Sequence, residues 1–173
     1  MTRATDAIET LTELLPDWPQ PGILFRDLSP VFADAEALRA VAEALVADFG
    51  EVEAIVGIEA RGFVLATAAA VATGHGTVLI RKGGKTPPPV ISRDYGLEYG
   101  EASLELAPAR IRPGMRVVVV DDVLATGGTL AAGLELLREA GAEIVGIGVA
   151  IELVALEGRA KLGEVPITAL QQV

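Results

Sequence analysis

Short, wholly apolar runs alternate along this chain with longer segments whose apolar residues recur every three or four positions. Ala54-Ile55-Val56-Gly57-Ile58 and Thr77-Val78-Leu79-Ile80 are too short for helices and rich in β-branched residues, so they read as buried strands. The strongest strand is Arg116 to Val120, with four consecutive valines set up by Pro113-Gly114. Glu143 to Ile151 follows in the same style, and Ile167 to Leu170 closes the series. Helical spacing predicts helices over Thr5 to Leu15, with Ile8, Leu11 and Leu15 on one face, and over Ala35 to Phe49, ended by Gly50. Gly62 to Thr73 is an almost wholly apolar helix. Gly127 to Ala140 is another, stopped by Gly141, and Leu156 to Leu162 is a short one. Strands without a polar face, alternating with helices, predict an α/β fold: an open, mainly parallel twisted sheet with helices on both faces.

Two stretches break the alternation. Pro16, Pro19, Pro21 and Gly22 force an extended, turning segment near the N-terminus. Arg81 to Glu101 holds Gly83, Gly84, Pro87, Pro88, Pro89, Gly96 and Gly100 with little periodicity. A loop of about twenty residues inside a compact domain is uncommon and usually functional. Val90-Ile91-Ser92 and Ala102 to Leu106 are candidate arms of a hairpin within it. With no repeat and no linker, 1–173 reads as a single domain.

Composition narrows the chemistry. At 173 residues, 51% hydrophobic and 22% charged, the chain can bury a core without staples. It has no cysteine, which excludes disulfides, thiolate nucleophiles, iron–sulfur clusters and Cys-based zinc sites. Its single histidine, His75, excludes a His-rich metal site and reads as an ordinary loop residue. A net charge of −10 disfavours nucleic acid and anionic membranes as partners. The first fifteen residues carry charges throughout and lack the apolar core of a signal segment. The longest weakly charged run, Gly62 to Ile80, is broken by polar residues and glycines. The expectation is a cytoplasmic protein.

Charge is unevenly placed. From Ala60 to Arg93 there is no Asp or Glu, while Arg61, Arg81, Lys82, Lys85 and Arg93 fall within that window. On charge alone, a focused anion site and a solvated loop are equally good readings.

The segment after the valines tips the balance. Asp121-Asp122 end the apolar strand, and Val123-Leu124-Ala125-Thr126-Gly127-Gly128-Thr129 leads into a helix. Ligands of open α/β sheets bind outside the carboxyl ends of the strands. Unpaired N–H groups at a helix start favour a phosphate. Gly127 and Gly128 permit close backbone approach, and Thr126 and Thr129 add hydroxyls. The acids suit sugar hydroxyls or a metal-bound water instead. Neither the Gly-x-x-x-x-Gly-Lys phosphate loop nor the dinucleotide fingerprint is present. Gly146-x-Gly148 lies within a predicted strand and reads as a packing feature.

This segment resembles the phosphoribosyl-diphosphate (PRPP) motif of type I phosphoribosyltransferases. Further blocks resemble the adenine phosphoribosyltransferases within them. Pro21-Gly22-Ile23-Leu24-Phe25-Arg26-Asp27-Leu28-Ser29-Pro30 is similar to their N-terminal hood, and Gly57-Ile58-Glu59-Ala60-Arg61-Gly62-Phe63 to their diphosphate loop. Val78 to Lys85 is similar to their basic segment, and Leu97-Glu98-Tyr99-Gly100 to the end of their mobile loop. Order and spacing match from about Leu14 to the C-terminus, including Glu152-Leu153 and Gly158-Arg159. Ser92-Arg93-Asp94-Tyr95-Gly96 departs from the family's small, polar and aromatic pattern.

The resemblance implies the type I phosphoribosyltransferase fold with a small hood over 1–34 and a mobile catalytic loop over 83–101. It implies transfer of phosphoribose from PRPP to adenine, giving AMP and diphosphate, with Mg²⁺ held mainly by the substrate and a homodimeric assembly. Asp121 and Asp122 would contact the ribose hydroxyls, and Ala125, Thr126, Gly127, Gly128 and Thr129 the 5′-phosphate. Glu59, Ala60 and Arg61 would turn towards the diphosphate, with a cis peptide at Glu59–Ala60, joined by Arg81, Lys82 and Lys85. A cation at the start of a predicted helix opposes the macrodipole, which favours a functional Arg61. Glu98 would handle the proton of the purine ring, with Tyr99 beside it in the closed site. Leu24 and Arg26 would cover and read the base. Phe25 would stack on it or pack in the core, Arg26 is a candidate to reach a partner subunit, and Trp18 would anchor the hood. Two alternatives stay open: a PRPP-binding regulator of the same fold without catalysis, and a xanthine- or guanine-type phosphoribosyltransferase.

Overall fold

The computed structural model describes residues 3–97 and 100–173. In chain order its elements are α1 (Arg3–Leu11), β1 (Glu13–Pro16), β2 (Leu24–Asp27), α2 (Ser29–Ala33), α3 (Ala35–Val46), β3 (Ala54–Ile58), α4 (Arg61–Thr73) and β4 (Gly76–Lys82). There follow β5 (Ile91–Leu97), β6 (Gly100–Leu106), β7 (Arg116–Leu124), α5 (Gly128–Glu139), β8 (Glu143–Glu152) and β9 (Ile167–Gln172). Short 3-10 turns occupy Pro108–Arg110, Val154–Leu156 and Gly158–Lys161.

Seven strands form one sheet in the order β5-β6-β4-β3-β7-β8-β9. The five strands β4-β3-β7-β8-β9 are parallel, and the β5–β6 hairpin joins their β4 edge antiparallel through Arg81↔Glu105 and Lys82↔Leu104. The valine run explains why the sheet needs cover on both sides. Val117 and Val119 belong to a buried cluster with Leu130, Leu134 and Leu137 of α5. Val118 and Val120 point the other way, into a cluster with Ile8 of α1, Leu45 of α3 and Leu65 of α4. Gly146 and Gly148 are packing features, as expected: a Cβ on Gly148 would stand 2.2 Å from the Leu45 carbonyl oxygen, and one on Gly146 2.2 Å from the Phe49 ring.

Four elements depart from the sequence reading. The first helix ends at Leu11, and Leu15 enters β1 opposite Phe25 in a separate two-stranded ribbon with β2, because the turn around Pro19 to Gly22 folds the chain back on itself. The long irregular segment is largely the β5–β6 hairpin, and both candidate arms lie at or within its longer strands. It is held to the sheet because Leu104 and Leu106, alternating with Ser103 and Glu105, are fully buried. The short helix at 156–162 is replaced by two 3-10 turns, broken where Glu157 takes a positive φ of 51°. Finally, β7 runs on to Leu124, so both acids lie within the strand, Asp121 beside Val149 of β8. Among the described residues, no helix is long and apolar enough to cross a membrane.

Candidate active site

At the carboxyl ends of β3, β4 and β7 lies a cleft of about 420 Å³. Glu59, Ala60 and Arg61 reach it from the turn after β3, and Lys82 from the end of β4. Asp121 and Asp122 come from β7, and Ala125, Thr126, Gly127, Gly128 and Thr129 from the loop that opens α5. Three separate stretches of sequence thus meet at one rim. Close contact of α4 with the sheet brings them together: a Cβ on Gly62 would stand 2.9 Å from both Asp121 Oδ1 and the Val120 carbonyl oxygen. Only a glycine after Arg61 allows this approach.

The loop after β7 presents backbone to the cleft. Gly127 takes a φ of 78° and precedes the first turn of α5, whose N–H groups have no partner within the helix. Thr126 and Thr129 line the cleft beside these N–H groups, and a cradle of donors of this kind suits an anion. Asp121 stands deeper and is buried. Its Oδ1 accepts the Asp122 N–H at 2.9 Å. Burial, and then the neighbouring Asp122 charge, push its carboxyl well above the usual range.

Arg61 joins two parts of the site. Its Nη1 donates to Asp122 Oδ2 and its Nη2 to Asp27 Oδ1, both at 3.3 Å. The same guanidinium lies 4.7 Å over the ring of Phe25, which Trp18 meets edge-on at 4.4 Å. Trp18 thus packs on the ribbon through Phe25 while about half of it stays exposed. Asp27, held also by the Ser29 N–H at 3.1 Å and hydroxyl at 2.7 Å, has its carboxyl lowered by those bonds first and by Arg61 last.

Glu59 gathers the other cations. Its Oε1 accepts Lys85 Nζ at 2.7 Å, its Oε2 accepts the Lys82 N–H at 3.0 Å, and Arg81 Nε lies 3.6 Å away. The Lys85 bond is the main reason its carboxyl is lowered. Arg81 donates in turn to the Lys85 carbonyl at 2.7 Å. Arg81 and Lys85 therefore stand behind Glu59 rather than in the cleft wall, and Lys82 is the member of the group that reaches the wall. The Glu59–Ala60 peptide is cis, where the resemblance placed it.

Leu24, Phe25 and Arg26 lie on β2, outside the cleft wall and joined to it through Arg61. Leu24 is exposed; Phe25 is half-buried and so takes no core position. Glu98 and Tyr99 lie outside the described residues. Sequence reasoning missed Tyr95 and Ala102, which line the cleft from the hairpin, and Asp27 as the partner of Arg61. Alternation along 91–97 was the available signal for Tyr95. Nothing local links Asp27 to Arg61. Among the described residues, no group of three or more His, Asp or Glu could hold a metal ion.

A family model for the phosphoribosyl transferase domain matches residues 32–166. An adenine phosphoribosyltransferase of Clavibacter sepedonicus is 57% identical over 161 residues, 93% of this chain and 84% of that protein. The chain belongs to the adenine phosphoribosyltransferase family. Its mainly parallel sheet between two helical layers is the type I phosphoribosyltransferase fold. The solved adenine phosphoribosyltransferase of Rhodothermus marinus is 41% identical with a TM-score of 0.91, covering 98% of each chain. That of Saccharomyces cerevisiae, complexed with adenine and an imino-altritol bisphosphate, is 34% identical with a TM-score of 0.91, covering 96% of this chain and 98% of its own.

Proposed function

We propose that the cleft transfers the 5-phosphoribosyl group of PRPP to N9 of adenine, giving AMP and diphosphate in purine salvage. The bond from C1′ to the diphosphate oxygen breaks, a bond from C1′ to N9 forms, and the purine loses one proton. The transition state carries positive charge on the sugar and negative charge on the leaving group, so no protein nucleophile is needed. Positioning and charge stabilisation do the catalysis.

The observation that carries this reading is the convergence of three kinds of group on one cleft. The loop of Ala125 to Thr129, the cations Arg61 and Lys82, and the acids Asp121 and Asp122 all line it. A 5′-phosphate at the cradle puts ribose hydroxyls at the acid pair and the diphosphate at the cations. Glu59 positions Lys82 for that leaving group, with Lys85 and Arg81 paired behind it. The donor set fits a divalent ion only in part: it offers two adjacent carboxylates, one already engaged by Arg61, and among the described residues no group of three acids or histidines is placed to hold an ion. Asp121 and Asp122 would help to hold Mg²⁺, with substrate oxygens supplying most of its ligands. When bound, it neutralises charge on the departing diphosphate.

In this reading the β1–β2 ribbon is the hood, and the backbone near Leu24 and Arg26 reads the edge of adenine. Its amino group donates where hypoxanthine and guanine present an oxygen. Glu98 takes the purine proton and Tyr99 packs beside it. Assembly as a homodimer belongs to the same reading. The compartment is the cytoplasm, because a sugar carrying three phosphates does not cross bilayers unaided.

The test is an assay with purified protein, PRPP, Mg²⁺ and single bases. AMP from adenine supports the reading. Product from hypoxanthine or xanthine but not adenine points to the other base class, and no product from any base points to the regulator. Glu98→Ala should cut turnover by about a hundredfold while leaving PRPP affinity in place, as expected for a proton-transfer group.

A further inference from the structure

Behind the phosphate cradle sits a charged cluster that the reaction described above does not use. Glu152 ends β8 and is only 4% exposed. Its Oε1 accepts Arg159 Nε at 2.5 Å, and its Oε2 accepts Arg159 Nη2 and Gln172 Nε2, each at 2.8 Å. A carboxylate gripped by two prongs of one guanidinium fixes both the position and the tilt of that group. Arg159 Nη1 also reaches the Ile167 carbonyl at 3.4 Å, so the ends of β8 and β9 hold it together.

Arg159 follows Gly158 directly, and Gly158 lies on the cradle. A Cβ on Gly158 would stand 2.2 Å from the Ala125 carbonyl oxygen and 3.0 Å from the Gly127 nitrogen. A Cβ on Gly127 would stand 2.4 Å from the Gly158 carbonyl oxygen. Backbone therefore meets backbone with no side chain between, and the rear of the loop goes where Gly158 goes. The front end is tied to the same place: Leu124 pairs with Glu152 across β7 and β8, and the Leu153 N–H donates to the Leu124 carbonyl at 2.9 Å. The connections run from Leu124 to Glu152, from Glu152 to Arg159, and from Gly158 back to Gly127, so they close on themselves.

We propose that Arg159 is a positioning residue for the 5′-phosphate: clamped by Glu152, it holds Gly158 against Ala125 and Gly127 and so keeps the cradle's N–H groups aimed into the cleft. The proposal rests on the PRPP reading of the cleft. Arg159 touches no substrate. Its effect is confined to the loop after β7, while Arg61 and Lys82 come from the turn after β3 and the end of β4. A lysine cannot replace it, because an ammonium on a flexible stem lacks the fork that sets the angle.

The experiment compares wild type with Arg159→Gln, Arg159→Lys and Glu152→Gln. Readouts are steady-state kinetics, thermal unfolding, and calorimetric affinity for ribose 5-phosphate and for inorganic diphosphate. The expected result for Arg159→Gln is a rise of about tenfold or more in KM for PRPP and in Kd for ribose 5-phosphate, the scale of a misplaced binding group. Turnover, KM for adenine and diphosphate affinity should stay within about twofold in the same variant. Arg159→Lys should recover less than half of the loss on a logarithmic scale. Glu152→Gln, which keeps shape and loses charge, should shift the same two constants, and it carries the test if Arg159→Gln does not fold. Lower melting temperatures with unchanged ribose 5-phosphate affinity would overturn the proposal, leaving the cluster a purely structural one. Equal loss of ribose 5-phosphate and diphosphate affinity would overturn it too. A wild-type protein that binds no ribose 5-phosphate would overturn the reading of the cleft along with it.

Discussion

Asp121, which the proposed reaction assigns to the ribose hydroxyls, weighs against folding at neutral pH. Its carboxyl is buried and next to Asp122, so the native state holds its proton more tightly than the unfolded chain does. Stability from this group is complete below the unfolded value, about pH 3.9, and is lost as pH rises through the raised native value. Asp121→Asn should therefore melt higher than wild type at neutral pH and lose that segment of the pH–stability profile. The same variant should raise KM for PRPP by about tenfold, since an amide is a weaker acceptor for ribose hydroxyls. Melting curves across pH, read beside the kinetics, check both halves. Arg61→Lys keeps charge but loses the two-carboxylate fork and the stack on Phe25. It should lower kcat/KM for AMP formation by about a hundredfold. At this scale contiguity decided what could be read in the sequence. The acid pair and the Thr-Gly-Gly-Thr loop are neighbours in the chain and were legible. The Asp27–Arg61 bond and the grouping of Arg81 and Lys85 around Glu59 depend on segments 34 and 26 residues apart.

Among the elements, the β5–β6 hairpin was read in part. Its two arms were legible, but their length and the pairing of β6 with the β4 edge were not, because prolines and glycines surround the arms. The hairpin also reaches across to α5. Arg93 Nε lies 3.2 Å from Glu135 Oε2, and Arg93 Nη2 bonds Glu139. Tyr95 packs beside Gly128 at the cradle. Because all three charged groups are well exposed, Arg93→Ala should lower global stability by less than about 1 kcal/mol. Its local effect should be larger: amide exchange along β5 should quicken while that of β7 stays unchanged, which hydrogen-exchange mass spectrometry resolves. Moderate salt should mimic the variant in wild type. The first helix was over-extended for a related reason. Leu15 satisfies helical spacing with Ile8 and Leu11, yet β2 offers it a strand partner in Phe25.

For the whole molecule, the fold class was legible because burial on both faces leaves strands with no polar positions, and β3 and the valine run carry that mark without exception. Strand order was not legible, since nothing local says that β6 rather than β5 pairs with β4. The sheet's carboxyl rim gathers cations, acids and free N–H groups from three stretches of a chain whose net charge is −10. That local concentration of donors is what the proposed binding of a phosphorylated sugar by an acidic protein requires. The most direct measurement is a crystal structure with AMP bound. The account predicts the 5′-phosphate within hydrogen-bond distance of the N–H groups of Thr126 to Thr129, with the ribose hydroxyls at Asp121 and Asp122. A phosphate bound instead among Arg61, Lys82 and Lys85, with the loop after β7 untouched, would contradict it.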